Sequence, residues 1–157
     1  MITVNTQIDP AYQPQIKIDQ LTLIVKDTLK SCQVHQAGLT VVITSDEAVQ
    51  ALNHTYRNVA APTDVLSFEA NAEQDGFVMP KEGAAYLGDV IISLPAATRQ
   101  AEAAGHRPME EILLLAVHGT LHLLGFDHLT DAEKDEMWRV QQAILRKHNL
   151  SHVSPTE

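Results

Sequence analysis

Ile112-Leu-Leu-Leu-Ala-Val-His-Gly-Thr-Leu-His-Leu-Leu-Gly-Phe-Asp-His128 is the stretch whose reading decides the fold. Its first six residues are apolar on every side of a helix. A helix that is apolar all round is buried. Pro108 opens it, Glu110 and Glu111 sit in its first turn, and Gly125 permits the left-handed turn that ends it. The last turn carries His118 and His122. Four residues turn an α-helix through about 400° and rise about 6 Å, so the two rings share one face. The turn at Gly125 is expected to bring His128 back toward them. Three neutral imidazoles with a fourth position for water are the pattern of catalytic zinc. Imidazole also suits nickel, copper and iron.

The spacing His-x3-His-x2-Gly-x2-His is also that of the metzincin proteases, in which a glutamate follows the first histidine as general base. Gly119 occupies that position here. The spacing therefore supports a metal and argues against peptide hydrolysis. Asp127 is a candidate to orient an imidazole, or a solvated loop acid. A second pair, His148 and His152, has the same spacing but no third histidine and no apolar face. His35, His54 and His106 stand alone, and His106 reads as a solvated turn before the central helix.

Around this helix the chain reads as one domain over residues 1–157, with a frayed tail after about residue 148. Residues 2–7 alternate as a short strand suited to a sheet edge. A helix from Ile16 to about Val34 carries Leu21, Ile24, Val25, Leu29 and Cys32 on its apolar face, with Cys32 a small buried core residue. Leu39–Thr44 is β-branched and forms a strand. Ser45 caps the next helix, whose dipole Asp46 and Glu47 complement, and which ends near Arg57. Asn58–Pro62 is loop, Val65–Phe68 a strand and residues 71–84 an exposed connection. Ala85–Ser93 is a strand whose interior Gly88 indicates a bulge or a close backbone approach. Pro95 opens a helix ending at Gly105. Thr130 and Glu133 form the capping box of the last helix, which runs to Lys147 with Met137, Val140, Ile144 and Leu145 as its stripe. The fold class is α+β: a small mixed four-stranded sheet packed with about five helices, the buried central helix presenting its histidines at a cleft.

Composition bounds the rest. At 157 residues with 45% hydrophobic and 20% charged content, the chain can bury a sizeable core. One cysteine excludes an internal disulfide and suits a reducing compartment. The amino terminus lacks a charged and apolar leader, so the expected location is cytoplasmic, with no membrane partner. A net charge of −9 argues against a broad basic surface for nucleic acid but not against a local groove. Arg57, Arg99 and Arg107 lie at expected helix ends, where they would edge one cleft or scatter as solubilising charge.

His118–His128, Leu52-Asn-His-Thr-Tyr-Arg57, Pro62-Thr-Asp-Val-Leu-Ser-Phe68 and Leu87-Gly-Asp-Val-Ile-Ile-Ser93 together resemble, in order and spacing, the YbeY endoribonucleases, the bacterial rRNA maturation factors. The resemblance covers about residues 20–147. Glu69-Ala70 departs from it, the family often having proline after the phenylalanine. It implies a metal-dependent, single-strand-specific endoribonuclease acting in rRNA processing at the 3′ end of 16S rRNA and in ribosome quality control. It implies one Zn2+ held by His118, His122 and His128, and an important arginine at Arg57. The implied partners are rRNA and the small ribosomal subunit, with ribosomal proteins or an assembly GTPase. A guanidinium holds phosphate bidentately, which would position an RNA backbone over the metal. The other reading is a ribosome-assembly binding factor whose zinc is structural and whose nuclease activity is marginal.

Overall fold

The computed structural model describes residues 2–57, 63–70, 85–126 and 130–153, with backbone alone at residues 56, 57 and 85. Parallel strands cannot be joined by a tight turn, so the chain crosses over by helices. Strand β1 (Ile2–Ile8) leads through a 3-10 turn at Gln13–Gln15 into helix α1 (Ile18–Ser31), which returns the chain to β2 (Ala37–Thr44). Helix α2 (Asp46–Arg57) precedes β3 (Val65–Glu69). Strand β4 (Ala85–Ser93) then runs directly into α3 (Leu94–Ala104), α4 (Pro108–Leu123) and α5 (Asp131–Lys147). The sheet order is β1-β2-β4-β3. β1, β2 and β4 are parallel and β3 is antiparallel to β4. This is the expected mixed four-stranded sheet, with β1 and β3 at its edges.

The pleat sends successive side chains to opposite faces, and the core divides accordingly. Val41, Ile43, Val90 and Ile92 point to the face that α1 and α4 cover, in the main core cluster. Ile91, Leu66 and Val49 form a second cluster under α2, with Val42, Leu52 and Phe68 at its margin. Each fully buried aliphatic side chain contributes about 1.5–3 kcal/mol. α4 is the centre of the helical layer: α1, α3 and α5 all pack on it, and Ile112–Val117 are buried without a break. No helix among the described residues is long and apolar enough to cross a membrane.

Local chemistry sets the element ends. Ser45 Oγ accepts from Ala48 N at 3.2 Å, and Thr130 and Glu133 form the reciprocal capping box at 3.1 and 3.2 Å. Gly88 has φ +139°, and a Cβ there would meet the Phe68 carbonyl oxygen at 2.0 Å. Only glycine fits. Opposite it the β2–β4 register slips, leaving Leu87 as an extra residue in β4. Both meanings of the interior glycine, a bulge and a close approach, hold.

Three expectations are corrected. α1 spans Ile18–Ser31, and Cys32 is its C-cap, half-buried beside the core instead of within it. Burial pushes its thiol above the usual range. His106 is not a solvated turn. Its Nε2 lies 2.6 Å from Glu111 Oε1, with side-chain exposures of 4% and 1%. Residues 148–153 are not frayed: Asn149 adopts φ 61° and turns the chain back, burying Leu150 and Val153. His148 and His152 then meet Asp27 at 2.8 Å and Glu110 at 2.6 Å. Each of this second histidine pair thus faces a carboxylate on a different helix.

Candidate metal centre

The last turn of α4 places the two histidine rings 4.6 Å apart, centroid to centroid, at an interplanar angle of 79°. Their Nε2 atoms converge to 3.1 Å. Tetrahedral zinc with Zn–N distances of about 2.0–2.1 Å separates two nitrogen ligands by about 3.3 Å, so the pair fits one ion. The helix end adds a field of the right sign, since its carbonyls carry partial negative charge. Gly125, at φ 98°, stops the helix there. Phe126 N donates to Leu121 O and Gly125 N to His122 O, both at 3.0 Å. The turn expected from Gly125 is present. His128 and Asp127, which follow it, lie outside the described residues, and among the described residues no three His, Cys, Asp or Glu side chains group to hold a metal.

A residue the sequence reading passed over completes the surroundings. Gln141, fully buried on α5, has Oε1 at 3.1 Å from His118 Nδ1. Facing the amide oxygen, Nδ1 is placed to donate, and Nε2 lies on the side of His122. Trp138 lies one turn earlier, its ring 5.7 Å from that of His118 and nearly perpendicular to it. The available signal was polarity in the wrong place. Gln141 stands four residues after Met137 and three before Ile144, in the middle of the apolar stripe.

Gly119 faces the sheet, not the histidine side of α4. A Cβ on it would stand 2.5 Å from Val90 Cγ1, and its carbonyl accepts from Ser67 Oγ at 3.0 Å. A glutamate here would be driven into β4, so no metzincin base can be supplied from this position.

Other residues of the quoted segments, and Arg99, make hydrogen bonds within the described fold. Asp64 Oδ2 accepts from Gln100 Nε2 at 2.9 Å, and its carbonyl accepts from Ser93 N at 2.9 Å. Asp89 accepts from the Tyr86 hydroxyl, which also meets Thr40 Oγ1 at 2.7 Å. Burial, then the bond to Asp89, push the Tyr86 phenol up to about 12. Arg99 bonds Asp46 at 2.9 Å and, with Ser93, holds that carboxyl below its usual range. Burial raises Glu111, with His106 opposing and Asp64 adding to the rise.

Of the three arginines, Arg99 and Arg107 have described side chains. At about 1.5 Å rise per residue, Arg107 at the start of α4 stands roughly 16 Å from His118 near its end. Arg99 is tied to Asp46 at the start of α2, while Arg57 closes that helix roughly 16 Å away. The Arg57 side chain lies outside the described part of the structure. The next described element after α2 is β3, an edge strand of the sheet.

Comparison with known proteins decides the family. The family model described as Endoribonuclease YbeY matches residues 6–149. The chain belongs to the YbeY endoribonuclease family. A YbeY endoribonuclease of Roseiflexus sp. (strain RS-1) is 40% identical over 153 residues, covering 95% of this chain and 94% of the relative. One from Moorella thermoacetica is 47% identical over 113 residues, covering 70% and 72%. A solution structure of a Thermotoga maritima protein superposes with a TM-score of 0.57 over 100% of this chain and 99% of its own. At 19% identity it shows that this chain shares that fold.

Proposed function

We propose that this chain is a zinc-dependent endoribonuclease that cleaves single-stranded RNA, acting in rRNA processing in the cytoplasm. The observation that carries the reading is the convergent Nε2 pair of His118 and His122, found at the end of a buried helix in a chain of the YbeY endoribonuclease family. His118, His122 and His128 would hold the ion. When bound, zinc polarises a phosphoryl oxygen or lowers the pKa of a bound water. Gln141 orients the His118 ring. Arg57 would grip a backbone phosphate, its planar fork matching two phosphate oxygens. rRNA in the small ribosomal subunit is the proposed partner, with ribosomal proteins or an assembly GTPase directing selectivity. Such direction is what a chain of net charge −9 requires, since its overall field repels RNA.

The test is a cleavage assay on single-stranded and structured rRNA fragments, with metal stripped and restored, for wild type, His118→Ala and Arg57→Ala. Activity should vanish on stripping, return with zinc, and be lost in both folded variants. Full cleavage by metal-free His118→Ala would sink the reading. The second reading, an assembly factor with structural zinc, draws on Gly119, which denies the site the base that related spacings carry. Small-subunit binding unaffected by histidine substitution, with at most marginal cleavage by wild type, would favour it.

A further inference from the structure

We infer that Gln141 is a positioning residue for the ring of His118, holding its Nδ1 as the protonated nitrogen so that the Nε2 electron pair faces the ion. The inference rests on the reading of His118 and His122 as metal ligands. It concerns a residue on a different helix, 23 positions away in sequence.

Three observations carry it. Gln141 is fully buried among Met137, Ile144 and Leu145, a seam that a leucine or methionine would fill without needing any polar partner. Its Oε1 lies 3.1 Å from His118 Nδ1. Its Nε2 has no hydrogen-bond partner among the described residues. Among the described residues the amide thus keeps its NH2 unmet in an apolar seam while its oxygen faces the imidazole. That pattern is expected where the bond to the ring, and not the filling of space, determines the residue.

The orientation follows from donor chemistry. If both Nε2 atoms are to face one cation, neither carries a proton, so the His118 proton sits on Nδ1. Only the amide oxygen can face an N–H; the reversed amide would set two donors against each other. Trp138 restrains the same ring with a perpendicular contact one helical turn earlier. A neutral amide fixes the tautomer without lending the negative charge of a carboxylate, and so leaves the bound ion more electrophilic than a glutamate at this position would.

Trp138 is the only tryptophan of the chain, and its fluorescence reports on the site. Zinc affinity is measured by competition with a chelator of known affinity, for wild type, Gln141→Met, Gln141→Glu and His118→Ala, each checked for folding by thermal melting. The His118 tautomer is read from 15N chemical shifts in metal-free protein. The expected result is a 10- to 100-fold loss of zinc affinity in Gln141→Met with a mixed tautomer, and affinity at or above wild type in Gln141→Glu. Unchanged affinity and tautomer in folded Gln141→Met would overturn the inference and leave the metal reading intact. If Gln141→Met does not fold, Gln141→Glu decides: affinity below wild type overturns the inference. If His118→Ala holds zinc as wild type does, the metal reading falls and the inference with it.

Discussion

Gly119 lies against Val90 so closely that a Cβ on it would stand 2.5 Å from Val90 Cγ1. Val90 is fully buried in β4 and its branched side chain cannot swing aside. Alanine at position 119 gains about 1 kcal/mol of helix propensity but overpacks a site where such insertions cost about 1–3 kcal/mol. The steric cost should win. Gly119→Ala is expected to lower the urea midpoint, corresponding to a net loss of about 1 kcal/mol, and adding Val90→Ala should recover part of it. A Gly119→Ala protein as stable as wild type would show that α4 can lift from the sheet. Gly119→Glu is expected to give no peptidase activity, because the carboxylate would enter the sheet.

Features whose cause is local could be read from the chain. Ser45, Thr130 with Glu133, Gly88, Gly125 and the four-residue step from His118 to His122 each act through neighbours within a few residues, or through a backbone angle only glycine adopts. Features that depend on which helices meet could not. Gln141 was submerged in an apolar stripe because its partner sits on another helix. His106 read as a turn residue because Glu111 becomes buried only once α3 and α4 pack. Cys32 fitted the period of α1 but fell just past its last turn.

Tyr86 should titrate late. Burial, and the bond its hydroxyl donates to Asp89, raise its pKa from 10.0 to about 12. A folded-state pKa above the unfolded value means that the native protein holds the phenolic proton more tightly. The stability this contributes is present in full below pH 10 and is lost as pH rises toward 12. Absorbance at 295 nm should show a tyrosine ionising near 12 that disappears in Tyr86→Phe. Asp89→Asn should move that step down. A Tyr86 step at the ordinary value in the folded protein would contradict the half-buried Tyr86–Asp89 bond.

The carboxyl-terminal segment should be part of the stable fold. Leu150 and Val153 are 6% and 0% exposed, and full burial of such side chains contributes about 1.5–3 kcal/mol each as an upper bound. The His152–Glu110 pair, with His152 half-exposed, adds little. Truncation after Asn149 is therefore expected to cost about 3 kcal/mol in urea unfolding, whereas His152→Ala should cost less than 1 kcal/mol. Equal losses from the two would mean that the ion pair, not the apolar contact, holds the segment.

Arg57 separates a role in substrate binding from a role in the helix. At the C-terminal end of α2 any cation complements the helix dipole, so a purely structural arginine would be replaced well by lysine and would affect stability alone. A phosphate-gripping arginine behaves differently. Hydrogen bonds to a charged group contribute about 1.5–3 kcal/mol, so Arg57→Ala should lower kcat/KM on single-stranded RNA by roughly 10- to 150-fold while the melting temperature hardly moves. Lysine restores the charge but not the two-pronged geometry, and Arg57→Lys should recover only part of the loss. The dependence of log affinity on log salt should flatten by about one unit in Arg57→Ala and stay near wild type in Arg57→Lys. Full recovery of kcat/KM by lysine would place Arg57 as a point charge, and an unchanged salt dependence in Arg57→Ala would remove it from the RNA path.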